Sequence, residues 1–199
     1  MSATIRVALP EDASAILAIY APIVRETAIS FEVEPPTRME MQQRIATTLR
    51  HLPWLVCERQ GEVLGYVYAS PHRARAAYQW SVDVSVYIQA QVRRAGMGRA
   101  LYHALFELLT LQGLYQCFAG ITLPNPASVG LHEALGFQPV GVYQAVGYKL
   151  GAWHDVGWWQ RALQPCPSLP TPPTAFEVLQ QTSAVWEATL HAGTRLLQV

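Results

Sequence analysis

The chain has 199 residues, of which 51% are apolar, 14% charged and 10% aromatic. This length suits one domain with a substantial core, and two full domains would be cramped. Fourteen acidic and fourteen basic side chains give a formal net charge of zero, which argues against nucleic-acid binding by bulk electrostatics and against membrane attachment by a basic face.

The cysteines and the apolar segments indicate in which cellular compartment the protein is expected. Cys57, Cys117 and Cys166 are scattered and no CxxC occurs, so the sequence predicts neither a disulfide framework nor a zinc knuckle and favours a reducing cytoplasm. The N-terminus lacks the apolar core of a signal peptide. The longest uncharged run, 108–131, is broken by glycine and proline, and we expect no membrane span.

The first half of the chain predicts mostly antiparallel strands. In chain order the elements are a strand at 5–8, a helix that starts at the acidic segment 10–12, an alternating apolar and polar segment at 29–33, a helix at 39–52, and strands at 54–58 and 63–69. Gln60-Gly61 is a turn signal between the last two, which predicts a hairpin. A basic, aromatic loop follows at 72–78.

The second half predicts alternating strands and helices. The elements are a strand at 80–88, a loop at 89–98 leading into a helix that ends near 112, a strand at 116–123, a helix at 125–135, a strand at 137–143 and an aromatic strand at 153–163. In the 80–88 strand, Asp83 shares the polar face with Ser81, Ser85 and Tyr87. This order predicts an α/β (α+β) fold, a mixed and mostly antiparallel central sheet flanked by helices.

The composition changes near residue 164. Five prolines within 165–173 predict a stiff linker. Beyond it Phe176, Leu179, Trp186 and Leu190 fall on one helical face, which favours a docked C-terminal helix. The sequence is therefore divided into a domain at 1–163 and a linker with a possible helix at 164–199.

A glycine-containing segment, Arg93-Arg94-Ala95-Gly96-Met97-Gly98, lies between a predicted strand and a long helix. Glycines there allow backbone N–H groups to converge, and a helix start adds about half a positive charge. That arrangement suits a pyrophosphate; the alternative is a plain strand–helix connection. Leu101 at the third glycine position excludes a Rossmann fingerprint, and no Walker A lysine follows.

A second motif covers 125–137. Asn125 can cap the predicted helix, and Gly136 can end it in a left-handed conformation. His132-Glu133-Ala134-Leu135 lacks the second histidine of a zincin motif, so we expect no metal site. His154-Asp155 invites a triad interpretation, but no nucleophile elbow accompanies it, which favours a structural or dimer-contact role.

These segments together resemble the GNAT superfamily of acetyl-CoA-dependent N-acetyltransferases. In its pattern a strand leads into (Arg/Gln)-x-x-Gly-x-(Gly/Ala), and a later Asn-x-x-(Ala/Ser) helix ends in Gly-Phe. The likeness is closest to the phosphinothricin acetyltransferase branch. It rests on residues 53–56, 75–80, 85–88, 123–125, 131–136 and 151–157, and it extends from about residue 4 to 163.

The resemblance implies acetyl-CoA as co-substrate and a set of residues that bind it. Val86 and Ile88 would pair with the pantetheine arm through their backbone. The pyrophosphate would bind the backbone of Arg93, Arg94, Ala95, Gly96, Met97 and Gly98. Asn125 and Ser128 would contact the co-substrate from the other side.

Two residues are candidates for proton transfer. Asp83 stands where this branch usually has a catalytic Glu and could remove the ammonium proton directly or, because it is shorter, through water; the alternative is a carboxylate bonded to a neighbouring loop. His132 stands where many GNAT enzymes have a tyrosine general acid; the alternative is a satisfied, half-buried histidine. Tyr143 is a weaker candidate. Cys117 lies in an apolar run that should keep its thiol inert, so direct transfer in a ternary complex is expected.

Substrate selection is assigned to five side chains: Phe31, Arg73, Arg75, Tyr78 and Tyr87. Arg75 could hold a carboxylate, phosphinate or sulfone oxygen, while the aromatics wall a small pocket. The implied substrates are phosphinothricin, methionine sulfoximine and methionine sulfone. The alternatives are another amine, such as a free amino acid or a peptide N-terminus, and a non-catalytic acyl-CoA-binding protein. The aromatic last strand, with Trp153, Trp158 and Trp159, favours a homodimer.

Overall fold

The computed structural model describes residues 3–92 and 96–197, and within them seven strands form one sheet. In chain order they are β1 (Thr4–Val7), β2 (Trp54–Arg59), β3 (Glu62–Pro71), β4 (Ser81–Ile88), β5 (Gln116–Leu123), β6 (Gln138–Lys149) and β7 (Ala152–Ala162). Their order in the sheet is β1-β2-β3-β4-β5-β7-β6. Among the strands of these described residues, only β4 and β5 pair in parallel. The predicted mixed, mostly antiparallel sheet is confirmed.

Helices cover both faces of this sheet. They are α1 (Ala13–Glu26), α2 (Arg38–His51), α3 (Met97–Leu111), α4 (Pro126–Ala134), α5 (Phe176–Thr182) and α6 (Val185–Thr194). On one face α1 and α2 bury Ile16 and Ile45 against Tyr66, and on the other α3 buries Leu101 against Val67. Among the described residues, no helix is long and apolar enough to cross a membrane.

The structure differs from the sequence prediction in two segments, and contacts with distant parts of the chain explain both differences. Residues 29–33 form no strand and lie in the loop between α1 and α2. This loop is attached to the end of β6, because Lys149 Nζ donates a 2.6 Å hydrogen bond to the Ser30 carbonyl. The predicted strand at 137–143 extends to Lys149 as one arm of a long hairpin with β7. A bulge interrupts that hairpin at 144–146, where Asp155 Oδ1 accepts a 2.7 Å hydrogen bond from the Ala145 N–H.

The C-terminal segment folds back on its own chain. The helical face predicted from Phe176 to Leu190 is divided between α5 and α6, which are separated at residues 183–184. The Gln112 side-chain amide donates to the Thr174 carbonyl at 2.7 Å, and the Ile5 N–H donates to Thr194 Oγ1 at 2.9 Å. Phe176 and Leu190 complete the core under α3.

Truncating Phe176 to Ala should destabilise the protein by about 3–5 kcal/mol, because the ring is 0% exposed and its removal leaves a cavity. Urea denaturation of both proteins measures the difference. Val185→Ala is the matched control: Val185 is on the other helix of the same segment, is 54% exposed and should change stability by at most about 0.5 kcal/mol. Equal, small losses in both variants would show that the tail does not belong to the core.

Candidate active site

The sheet opens into a wedge between β4 and β5. The two strands pair only at Ser81–Gln116, Val82–Cys117 and Asp83–Phe118 within the described residues. Beyond that point β4 stays paired with β3, and β5 stays paired with β7. The inner edges of β4 and β5 therefore diverge from the Asp83–Phe118 pair, which forms the vertex of the cleft.

Strand alternation turns the backbone of Val86 and Ile88 towards this cleft. The Ser81 carbonyl and the Gln89 N–H bond to the β3 side, whereas the Trp80 carbonyl bonds to the β5 side. Because backbone polar groups alternate with period two, the N–H and C=O groups of the even-numbered residues face β5. At 84, 86 and 88 the cleft takes the place of a partner strand.

Two helix ends border the cleft. Gly96 precedes α3 with a φ of 73°, a left-handed conformation that favours glycine. Asn125 caps α4, because its side-chain oxygen accepts a 3.1 Å hydrogen bond from the Ser128 N–H, as predicted. The predicted phosphate contacts of Arg93, Arg94 and Ala95 lie outside the described residues. The cleft walls include Val84, Val86, Tyr102, Gly120, Thr122, Asn125, Ser128 and His132.

His132 is buried, with both ring nitrogens engaged. Its Nδ1 lies 2.7 Å from the Ser128 carbonyl oxygen, and its Nε2 lies 2.9 Å from the Tyr102 hydroxyl. These partners fit a neutral ring that donates from Nδ1 and accepts at Nε2. Burial lowers the pKa of His132 below its ordinary value. The residue therefore lines the cleft as a neutral, hydrogen-bonded imidazole at neutral pH.

Asp83 lies at the vertex and contacts a residue that the sequence analysis did not single out. Its Oδ1 accepts a hydrogen bond from His72 Nδ1 at 2.6 Å. Burial raises the pKa of Asp83 above its ordinary value, and the hydrogen bond from His72 opposes that rise. The carboxylate is thus bonded to a neighbouring loop, yet 27% of its side chain remains exposed.

Aromatic rings surround the His72 imidazole. The His72 ring stacks on Phe118 with centroids 4.2 Å apart, and Trp158 meets it edge-on at 6.0 Å. Tyr78 meets it edge-on at 5.9 Å. The Arg73 guanidinium lies 5.6 Å from the centre of the Trp158 ring. The structure therefore brings Arg73 and Tyr78, two of the predicted substrate residues, to Asp83.

The other three predicted substrate residues lie apart from this group. Tyr87 stacks on Tyr66 at 5.2 Å under α1, and burial raises its pKa well above the ordinary value. Phe31 packs against β6, where a Cβ on Gly147 would collide with its ring. Arg75 is exposed in the 72–80 loop. Tyr87 and Phe31 thus border the site from the α1 side and from the β6–β7 hairpin.

Three other side chains with reactive groups, Cys117, His154 and Asp155, are buried or hydrogen-bonded to the backbone. Burial raises the pKa of the Cys117 thiol to about 12, which confirms that it should be inert as a nucleophile. His154 Nε2 pairs with the Lys149 carbonyl oxygen at 3.0 Å, and Asp155 holds the bulge of β6. The structural interpretation of the His154-Asp155 segment therefore holds.

The site has the features required for acyl transfer from a long, anionic carrier to an amine. The cleft between β4 and β5 offers backbone hydrogen bonds to an extended arm. A glycine-led helix N-terminus lies at one end of β4, suited to phosphate. A half-buried carboxylate lies at the vertex, where it can favour removal of a proton from an ammonium group.

Comparison with known proteins identifies the family. The chain belongs to the GNAT acetyltransferases: the model of the acetyltransferase (GNAT) domain matches residues 5–158. It is 41% identical to the phosphinothricin N-acetyltransferase of Streptomyces viridochromogenes, over 89% of this chain and 94% of that protein. It is 38% identical to the L-methionine sulfoximine/L-methionine sulfone acetyltransferase of Pseudomonas aeruginosa, over 85% of this chain and 100% of that protein.

A solved structure agrees with this assignment. The phosphinothricin acetyltransferase of Sinorhizobium meliloti, solved in complex with acetyl-CoA, superposes with a TM-score of 0.80 at 35% identity. The match covers 88% of this chain and 99% of that one. The fold predicted from the sequence is thus confirmed, and the protein is an N-acetyltransferase.

Proposed function

We propose that this enzyme transfers the acetyl group of acetyl-CoA to the amine of a small amino-acid-like substrate of the phosphinothricin, methionine sulfoximine or methionine sulfone type. The observation that carries the proposal is the position of Asp83 at the vertex of the cleft between β4 and β5, bonded to His72, whose ring packs among aromatic side chains. The names of the similar proteins support the substrate class.

Acetyl-CoA fits the cleft by its chemistry. It supplies an acetyl thioester on a pantetheine arm whose amides can pair with the backbone groups of Val86 and Ile88. The pyrophosphate would bind the backbone N–H groups of the segment Arg93, Arg94, Ala95, Gly96, Met97 and Gly98. Asn125 and Ser128 border the same cleft and would contact the arm from the α4 side.

Asp83 and His132 have different parts in the proposed reaction, one at the substrate ammonium group and the other at the departing thiolate. Asp83 supplies the negative charge on which removal of the ammonium proton depends. His132, with Ser128 and Tyr102, forms a polar cluster on the α4 side of the cleft. We assign to His132 a smaller part: it holds the Tyr102 hydroxyl at 2.9 Å, and this cluster provides the polar surroundings of the departing thiolate. Direct transfer between the two bound substrates needs no nucleophile from the protein, consistent with the raised pKa of Cys117.

Substrate selection depends on the groups around Asp83. Arg73 over Trp158, together with the exposed Arg75, would hold the anionic or strongly polar end of the substrate. Tyr78 would wall the pocket on the loop side, with Phe31 and Tyr87 at its borders. This arrangement favours compact substrates that carry both an ammonium group and an oxygen-rich group.

A panel of amines tests the substrate class. Thiol release from acetyl-CoA should show the highest kcat/KM with phosphinothricin, methionine sulfoximine or methionine sulfone, compared with free amino acids and peptides bearing a free N-terminus. The distinction from methionine should be large, because unpaired polar groups in a binding site discriminate strongly against a ligand that lacks their partner. A peptide as best substrate would assign a different acceptor, and no turnover with any amine would favour an acyl-CoA-binding protein.

A homodimer is proposed from the surface of the β6–β7 hairpin. β6 is an edge strand, and its exposed apolar side chains continue onto β7: Val140, Val142, Tyr143, Val146, Tyr148, Leu150 and Trp153. Exposed apolar patches on an edge strand mark interaction surfaces. The three tryptophans of the last strand contribute less to this apolar surface than the sequence suggested, because Trp159 is buried and, of the three, only Trp153 is largely exposed.

Light scattering should give twice the chain mass of 22.1 kDa at micromolar concentration. Trp153→Glu should shift the protein towards monomer, since a charge would be buried at the contact. Leu169→Glu is the control, because Leu169 is 90% exposed in the proline-rich linker. A wild-type mass of one chain would contradict the dimer.

A reducing, cytoplasmic compartment is proposed on the cysteines. All three are free, and Cys57 and Cys117 are buried. Burial raises the pKa of Cys57 to about 11. Neither buried thiol has a second cysteine beside it to form a disulfide, so the fold as described depends on no oxidising environment.

A further inference from the structure

We propose that His72 takes the proton from the substrate ammonium through its Nε2, and that Asp83 acts through His72 as a positioning carboxylate. This inference rests on the proposed transfer of acetyl to a small amine and names the group that accepts the proton there. The contact between His72 and Asp83, the position of both at the vertex of the cleft, and the open edge of the imidazole carry it.

The first observation is the hydrogen bond between the two residues. Asp83 Oδ1 and His72 Nδ1 are 2.6 Å apart, a short hydrogen bond of the kind that a carboxylate acceptor favours. A carboxylate accepts there only if Nδ1 carries the proton, and in the neutral ring this leaves a lone pair on Nε2. An imidazole held in this way can accept a proton at Nε2.

The second observation is that the ring is oriented while its Nε2 stays available. Stacking on Phe118 and edge contacts with Tyr78 and Trp158 fix the plane of the imidazole. Nε2 has no hydrogen-bond partner among the described residues, and 11% of the side chain is exposed. A residue with a purely anchoring function would need only its Nδ1 edge.

The third observation is the set of charges that face His72. The Asp83 carboxylate faces His72 from β4. Arg73 and Tyr78 face it from its own loop. From β5 and β7 the facing groups are the uncharged rings of Phe118 and Trp158. The carboxylate is therefore the nearest charge, and it stabilises the imidazolium that forms when the ring takes a proton.

The proposed step balances as follows. The substrate ammonium gives one proton to His72 Nε2, which later passes it to solvent. The neutral amine then forms the C–N bond as the C–S bond breaks. The second proton lost by the nitrogen balances the charge of the departing thiolate, so the products are the acetylated amine, the free thiol and one proton.

His72→Asn separates proton transfer from loop anchoring. The Asn side-chain N–H can replace Nδ1 as the donor to Asp83, so the loop stays attached, but no group replaces Nε2. We expect kcat to fall by about 10²-fold or more, with the Kd for acetyl-CoA from calorimetry unchanged. The wild-type rate should rise with pH, because the acceptor must be unprotonated, and His72→Asn should lose that rise.

Ring nitrogen chemical shifts give a measurement that does not depend on turnover. In the ¹⁵N NMR spectrum of the wild-type protein, assigned with His72→Asn, the His72 ring should carry its proton on Nδ1 when neutral, with Nε2 unprotonated. A proton on Nε2 would overturn the proposal, and so would His72→Asn with the wild-type kcat and pH profile. If the wild-type protein acetylates no amine, the proposed function fails instead, and the NMR result remains a separate statement about the pair.

Discussion

Asp83→Asn is expected to lower kcat by about 10² to 10⁴-fold, the usual cost of losing general-base assistance. The substitution keeps the size of the side chain and removes its charge. The charge matters at Asp83 because the carboxylate accepts the 2.6 Å hydrogen bond from His72 at the vertex of the cleft. The Kd for acetyl-CoA should change little, because its proposed contacts lie farther along β4, at the start of α3 and on the α4 side of the cleft. Steady-state kinetics and calorimetry measure the two quantities.

Two further variants show whether the loss of kcat is specific to Asp83. Asp155→Asn makes the same chemical change on β7, where the side chain accepts only the Ala145 N–H, and kcat should remain near the wild-type value. His132→Ala should lower kcat less than Asp83→Asn, and it should also lower stability by about 1–3 kcal/mol because the buried Tyr102 hydroxyl loses its partner. A full rate in Asp83→Asn would show that Asp83 only anchors the 72–80 loop.

Gly96→Val should weaken acetyl-CoA binding by at least about 100-fold, or about 2.8 kcal/mol. Gly96 has a φ of 73° at the start of α3, and a β-branched side chain disfavours that conformation. The substitution therefore turns the first N–H groups of the helix away from the proposed pyrophosphate position. Two lost charge-assisted hydrogen bonds account for an effect of this size. Calorimetric titration with acetyl-CoA measures it.

Gly113→Val is the matched control for Gly96→Val. Gly113 lies just beyond the other end of α3 with a φ of 82°, and a Cβ there meets no atom within 4 Å. Both variants should lose about 1–2 kcal/mol of stability from backbone strain, and only Gly96→Val should lose affinity. Unchanged affinity in Gly96→Val, with the fold intact by circular dichroism, would remove the pyrophosphate assignment.

Local patterns in the sequence predict most of the sheet and its helices. The apolar alternation of 80–88 and the Gln60-Gly61 turn correspond to β4 and to the β2–β3 hairpin. The patterns fail where tertiary contacts decide the conformation. Residues 29–33 alternate like a strand, yet the hydrogen bond from Lys149 to Ser30 holds them in a loop. The length of β6 depends on pairing with β7, which a local window does not contain.

The candidate site was predicted in its backbone elements and only partly in its side chains. Asp83 follows from the polar face of its strand and from the family resemblance. His72 does not, because a nine-residue connection joins β3 to β4 and leaves their register open. Only that register, in which the His72 N–H bonds to the Ser81 carbonyl, places the imidazole beside Asp83. The stacking of His72 on Phe118 requires the parallel β4–β5 pair as well.

Transfer of a labelled acetyl group distinguishes direct transfer to the amine from a route through the protein. The protein is incubated with [¹³C]acetyl-CoA and methionine sulfoximine, and mass spectrometry follows the label on the small molecule and on the protein. We expect one labelled acetyl group on the substrate amine per thiol released, no label on the protein, and a rate at least about 100-fold lower in Asp83→Asn. Label that accumulates on the protein, or thiol release without an acetylated amine, would contradict direct transfer in the cleft between β4 and β5.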